Sequence, residues 1–157
     1  MVIKQLLDED FVNYKKPSMF IGFPSCSWKC EKECGKKVCQ NGALSTSPNI
    51  VKGAKSIVNR YINNPITSSI VLGGLEPFDT WDDLYELITY MRVSTQDDIV
   101  IYTGYYKEEI REYIDKLRVF HNIIIKFGRF IPNQEKHYDE VLGIYLASDN
   151  QYAERIS

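Results

Sequence analysis

Four short apolar runs, separated by turns and by amphipathic stretches of helix length, restrict this chain to a small set of folds. The runs are Met19–Phe23, Ser69–Leu72, Ile99–Tyr102 and Ile123–Lys126. They lack the alternation of a half-exposed strand, which is the mark of strands covered on both faces. Between them, apolar residues recur at helical spacing: Ile50, Ala54, Ile57, Val58, Tyr61 and Ile62, then Leu84, Leu87, Ile88 and Met91, then Ile110, Ile114 and Leu117. Ser47-Pro48 reads as a helix start, and Thr80 with Asp83 reads as a capping box. Repeated strand, turn and helix predict an α/β fold, an open, mostly parallel sheet or a partial (βα) barrel. There are too few units for a closed eightfold barrel. Residues 1–17 read as a polar lead-in, a short helix or an edge strand, and one further strand is expected near Val141–Leu146.

At 157 residues the chain is expected to be a single small domain that buries a core without disulfides, so its four cysteines are not staples. Net charge is −2, with lysines and acids interspersed, so no nucleic-acid-binding face is expected. The opening residues MVIKQLLDEDF carry acids and no long apolar run. Neither a secretory leader nor a membrane span is therefore expected, and the cytoplasm, where thiols stay reduced, is the expected location.

All four cysteines fall in one stretch, CSWKCEKECGKKVC, from Cys26 to Cys39. It lies in a loop, residues 24–41, that starts where the first apolar strand ends. The intervals are three, three and four residues, with no C-x-x-C pair and no adjacent histidine. An iron-sulfur site is the first reading of such a loop, and zinc is the second. Lys29, Lys32, Lys36 and Lys37 surround the thiols; their field favours thiolates and attracts an acidic electron donor, although a merely solvated basic loop would look the same. Two more loops, Gly73 to Pro77 and Tyr102 to Tyr105, follow strands and would meet the cysteine loop at the strands' C-terminal ends. Gly73 and Gly74 leave room for a ligand against the main chain, and strand-end carbonyls suit an ammonium group. His121 and His137 read as surface or capping residues, and Trp81, Tyr85, Tyr90 and Tyr113 as packing.

Taken in order, the strand leading into C-x3-C, the GG loop with its proline and the YTGY loop resemble the radical S-adenosylmethionine superfamily. More narrowly, the chain resembles the activating proteins of anaerobic ribonucleoside-triphosphate reductase. Cys39-Gln40-Asn41, Phe127-Gly128-Arg129-Phe130 and Leu146-Ala147-Ser148-Asp149-Asn150-Gln151 match that family's later segments. Two features depart from it: the interval after Cys30 exceeds the family's C-x3-C-x2-C pattern, and Lys126-Phe127 stands where an aspartate usually precedes the glycine. The resemblance implies a [4Fe-4S] cluster on Cys26, Cys30 and Cys39, with Cys34 the alternative third ligand. It implies S-adenosylmethionine on the open iron, cleaved to a 5'-deoxyadenosyl radical. Gly73 and Gly74 would take the methionine amine, Glu76 would lie in the pocket, and Tyr102 and Thr103 would flank the nucleoside. Trp28 would pack near the cluster or adenine, Asn41 would follow the third ligand, and Ser148 and Asn150 would stand at the rim. The implied partners are a glycyl-radical enzyme, as protein substrate, and a flavodoxin-like donor. Two other functions remain open on sequence: a small radical S-adenosylmethionine enzyme with a small-molecule substrate, and a non-catalytic cysteine-rich metal-binding module, whose four thiolates would leave no open iron.

Overall fold

The computed structural model describes residues 1–157. The apolar runs form β3 (Ser18–Phe23), β5 (Ser69–Gly74), β6 (Asp98–Tyr102) and β7 (Ile123–Phe127), all parallel. The lead-in supplies β1 (Val2–Ile3) and an edge strand, β2 (Gln5–Asp10), which pairs antiparallel with β3. At the other edge β10 (Tyr152–Arg155) runs antiparallel to β7, giving the order β10-β7-β6-β5-β3-β2. The two edge strands do not pair with each other, so the sheet is open and the fold class is the expected α/β.

Each parallel strand is added on the same side of its predecessor. Right-handed crossovers then place all the connecting helices on one face. These are α2 (Ala54–Ile62), α3 (Trp81–Ser94) and α4 (Arg111–Leu117). Ile57, Leu84, Leu87, Ile88, Met91, Ile114 and Leu117 pack there against Ile70, Leu72, Ile99, Ile101, Ile123 and Ile125. Each such buried side chain contributes about 1.5–3 kcal/mol of apolar burial. The opposite face of the same strands, Val71, Val100 and Ile124, has no helix; Tyr14, Leu142 and Leu146 cover it. A helix-free face roofed by irregular chain leaves room for a cavity.

Several local expectations are corrected. Ser47 does not start a helix: its hydroxyl donates back to the Leu44 carbonyl, and Ile50–Val51 form β4, paired with β1. The helix begins at Ala54 with Gly53 as N-cap, because pairing of two β-branched residues with Val2–Ile3 overrides the proline. Thr80 makes no capping box. Its hydroxyl donates to the Pro77 carbonyl, and the turn before α3 is capped by Glu76, whose carboxylate accepts from the Phe78 N–H. The tail holds β8 (His137–Asp139) and β10 besides the expected strand, β9 (Ile144–Leu146). Trp81 and Tyr113 stack and join Phe78, Tyr85 and Phe120 in a packing cluster. No helix is long and apolar enough to cross a membrane.

At the opposite, N-terminal ends of the strands, buried Asp98 joins three segments. It accepts from Tyr14 Oη at 3.0 Å, Lys16 Nζ at 2.6 Å and Arg155 Nη2 at 2.9 Å. Burial opposes its ionisation, but these donors prevail and hold its carboxyl below the usual value. Asp98→Asn is expected to lower stability by about 1–3 kcal/mol at neutral pH. A depressed acid stabilises above its unfolded pKa and loses that contribution as pH falls through the folded one. The gap from wild type should therefore narrow in acid, which urea unfolding at pH 7 and pH 3.5 measures.

Candidate functional site

The C-terminal ends of β3, β5, β6 and β7 each run into a loop, and these loops are cross-tied. Glu76 N–H donates to the Ser25 carbonyl at 2.8 Å, and Ser27 N–H to Asp79 Oδ2 at 2.6 Å. Asn41 Nδ2 donates to the Gly74 carbonyl at 2.8 Å. Glu76 accepts from Thr103 Oγ1 and Gly104 N–H, both at 2.9 Å. Thr103 N–H donates to Lys126 O at 2.9 Å, and Gly128 N–H to Tyr105 O at 3.0 Å. Gly74 has to be glycine: its φ is +81°, and an added Cβ would lie 2.7 Å from Gly22 Cα. The loops enclose one side of a cavity of about 530 Å³, whose other side is built by the lead-in and β9. Its size is that of a small-molecule or cofactor site.

Three of the four cysteines, Cys26, Cys30 and Cys39, line this cavity. Cys34 does not; it ends α1 (Lys29–Cys34), a short helix inside the cysteine loop. A backbone donor already reaches one of the sulfurs, Trp28 N–H lying 3.2 Å from Cys26 Sγ, and the Phe130 N–H works against burial at the Cys30 thiol. Burial pushes the Cys26 thiol up to about 11 and raises Cys30 as well, and a charge on Cys39 would raise both further. Thiols that oppose one another's ionisation in this way are relieved by a cationic centre among them. Two buried charged groups complete the wall. Burial holds the Lys126 ammonium down at about 8 and Glu76 up at about 7, each against the pull of neighbours. Lys126 Nζ donates to Gly128 O at 3.1 Å.

A family model described as a 4Fe-4S single cluster domain matches residues 18–152. The chain belongs to this family. No curated protein and no solved structure matches it. The residues fit the 4Fe-4S group that the family description names. Three thiols, Cys26, Cys30 and Cys39, stand around a cavity of cofactor size. A zinc ion draws its sulfurs in to about 2.3 Å, while a cluster spreads its ligands around a larger body. Hydrogen bonds to the ligand sulfurs are a recognised means of tuning such a cluster.

In this 4Fe-4S single cluster protein, the cavity wall includes Asn41, Gly74, Glu76, Tyr102 and Thr103, and excludes Gly73, Trp28, Ser148 and Asn150. Gly73 is covered by Tyr102 and the Phe20 ring. Trp28 acts through its backbone, in the left-handed region at φ 58°, where it starts α1. Ser148 Oγ accepts from Ile131 N–H at 3.0 Å, and Asn150 Nδ2 donates to the Arg129 carbonyl at 2.9 Å. Both brace the chain behind the wall. Sequence reading missed Lys126 as a wall residue. Its signal was the lysine ending an Ile-Ile-Ile run: period two from Ile124 sets it on the helix-free face. The lead-in residues Gln5, Asp10 and Asn13 were missed too, and carried no local signal.

Proposed function

We propose that this protein holds its cluster through Cys26, Cys30 and Cys39 and reductively cleaves S-adenosylmethionine, installing a glycyl radical on an anaerobic ribonucleotide reductase-like partner. The observation that carries the proposal is that three thiols, and not four, share one cavity with a glycine loop and a buried cation. Three protein ligands leave one iron open to a ligand's amino and carboxylate groups. When bound, the cluster supplies the electron that breaks the sulfonium bond and releases a 5'-deoxyadenosyl radical.

The chain's own residues position and shield the ligand. Lys126 pairs with its carboxylate; a buried ammonium in a low-dielectric wall discriminates strongly for an anion. The Gly74 carbonyl, using one lone pair on Asn41, keeps the other for the amine. Thr103 Oγ1 donates to Glu76 and accepts from Tyr105 N–H, so its hydroxyl fixes the pocket floor and leaves contact to its main chain. Tyr102, Phe130 and Leu146 exclude water from the remaining wall. Exposed Lys32, Lys36 and Lys37 offer a basic approach to an acidic, flavodoxin-like donor.

The test is direct. Anaerobically reconstituted protein should carry about four irons per chain and, on reduction with S-adenosylmethionine present, release 5'-deoxyadenosine. An intact, reduced cluster that yields none would remove the enzymatic reading and leave a closed-cluster electron carrier. Transfer to a glycine-bearing partner is checked by the glycyl doublet in its electron paramagnetic resonance spectrum.

A further inference from the structure

Hydrophobic packing holds α2, α3 and α4 in place, but α1, the helix that carries Cys30, buries none of its side chains. Something else must fix it. Beside it lies Arg129, whose side chain is only 5% exposed. Its guanidinium takes Glu109 in a two-pronged pair, both contacts at 2.7 Å, and lies 4.5 Å from the centre of the Tyr106 ring. Glu33 Oε1 stands 2.9 Å from its Nε, an attraction of charge without a hydrogen bond, since the buried Nε–H has no aligned partner; Glu33 follows Cys30 by three residues, on the same side of the helix. A second strut runs parallel: Lys29, at the start of α1, reaches Glu109 at 3.4 Å and sits 4.2 Å over the Tyr105 ring.

From this we infer that Arg129 is the positioning residue of the cysteine loop. It braces α1 through the charge of Glu33 and, by way of Glu109, through Lys29, and so keeps Cys30 facing the cavity. The inference rests on the reading that Cys26, Cys30 and Cys39 hold the cluster. Arginine is required because a lysine is a point charge and cannot bridge two carboxylates while lying on an aromatic face.

The experiment compares reconstituted wild type with Arg129→Lys, Arg129→Gln and Glu33→Gln, using Arg60→Gln, in an exposed ion pair with Asp8, as the control. Iron release to a chelator and the cluster's reduction potential are measured. Arg129→Lys should release iron about tenfold faster, and Glu33→Gln about threefold faster, with Arg60→Gln at the wild-type rate. Arg129→Gln should also lower the potential relative to Arg129→Lys, which keeps the charge. Glu33 is half exposed, so its variant decides the matter even if the Arg129 variants fold poorly. Loaded wild type whose Glu33→Gln form releases iron no faster would overturn the inference alone. Wild type that takes up no iron would remove the cluster reading and the inference with it.

Discussion

Cys39→Ala is expected to emerge from anaerobic reconstitution nearly free of iron, while Cys34→Ala retains a full complement of about four irons per chain. Cys26→Ala and Cys30→Ala should behave like Cys39→Ala. The reason lies in how the chain spends the eight residues between Cys30 and Cys39. The first half is helical throughout, and a helix advances only about 1.5 Å per residue. Gly35 then turns the chain at φ 65°, in the left-handed conformation that commonly ends a helix. The long interval therefore spans little distance and brings Cys39 back to the cavity wall, leaving Cys34 at the helix end outside it. Asn41 completes the return by its bond to the Gly74 carbonyl. Iron analysis and visible absorption decide among the ligand sets. Loss on Cys34→Ala with retention on Cys39→Ala would reverse the assignment; loss on both would mean four thiolates and a closed cluster.

Much of the fold was legible because burial on both sides of a parallel sheet writes itself as continuous apolar runs. Ile123-Ile124-Ile125 and Ile70-Val71-Leu72 admit few alternatives. The convergence of three loops arises from the same pattern, since parallel strands put all their C-terminal ends on one edge. What escaped was set by distant partners. Ile50–Val51 became a strand because Val2–Ile3 lay across from them, and Thr80 makes no cap because the chain is already turning helically from Pro77, where Glu76 provides the cap. The α1 helix has no apolar stripe, so periodicity was silent about it, and its hold depends on Arg129, about a hundred residues away in sequence. Glu154 and Arg155 hid β10, because an edge strand tolerates charges that a central one does not. At the site, the cysteines announced themselves by chemistry, whereas Gln5, Asp10 and Asn13 reached the wall only through the antiparallel pairing of β2 with β3 and the bend beyond Asp10.

Glu76→Gln is expected to be less stable than wild type at pH 4.5 and to recover most or all of that deficit by pH 8, a swing of up to about 3 kcal/mol. Glu76 is almost fully buried, and burial pushes its carboxyl up to about 7 although Gly104 N–H, Thr103 Oγ1 and Phe78 N–H all donate to it. In the unfolded chain it ionises at the ordinary glutamate value of 4.5. Between those values the unfolded state has released its proton and the folded state has kept it. Stability therefore falls as pH rises through this window, the opposite of a salt-bridged carboxylate. Glutamine is free of that titration. Its amide, however, presents N–H toward one of the donors, leaving a buried N–H unpaired at about 1–3 kcal/mol, and this penalty does not vary with pH. Wild type is thus ahead in acid and loses its lead toward neutrality. Urea unfolding of the cluster-free chain at a series of pH values measures the difference. A constant gap would mean that the three donors, and not burial, set the charge on Glu76, and that the carboxylate stands ionised in the cavity wall at neutral pH.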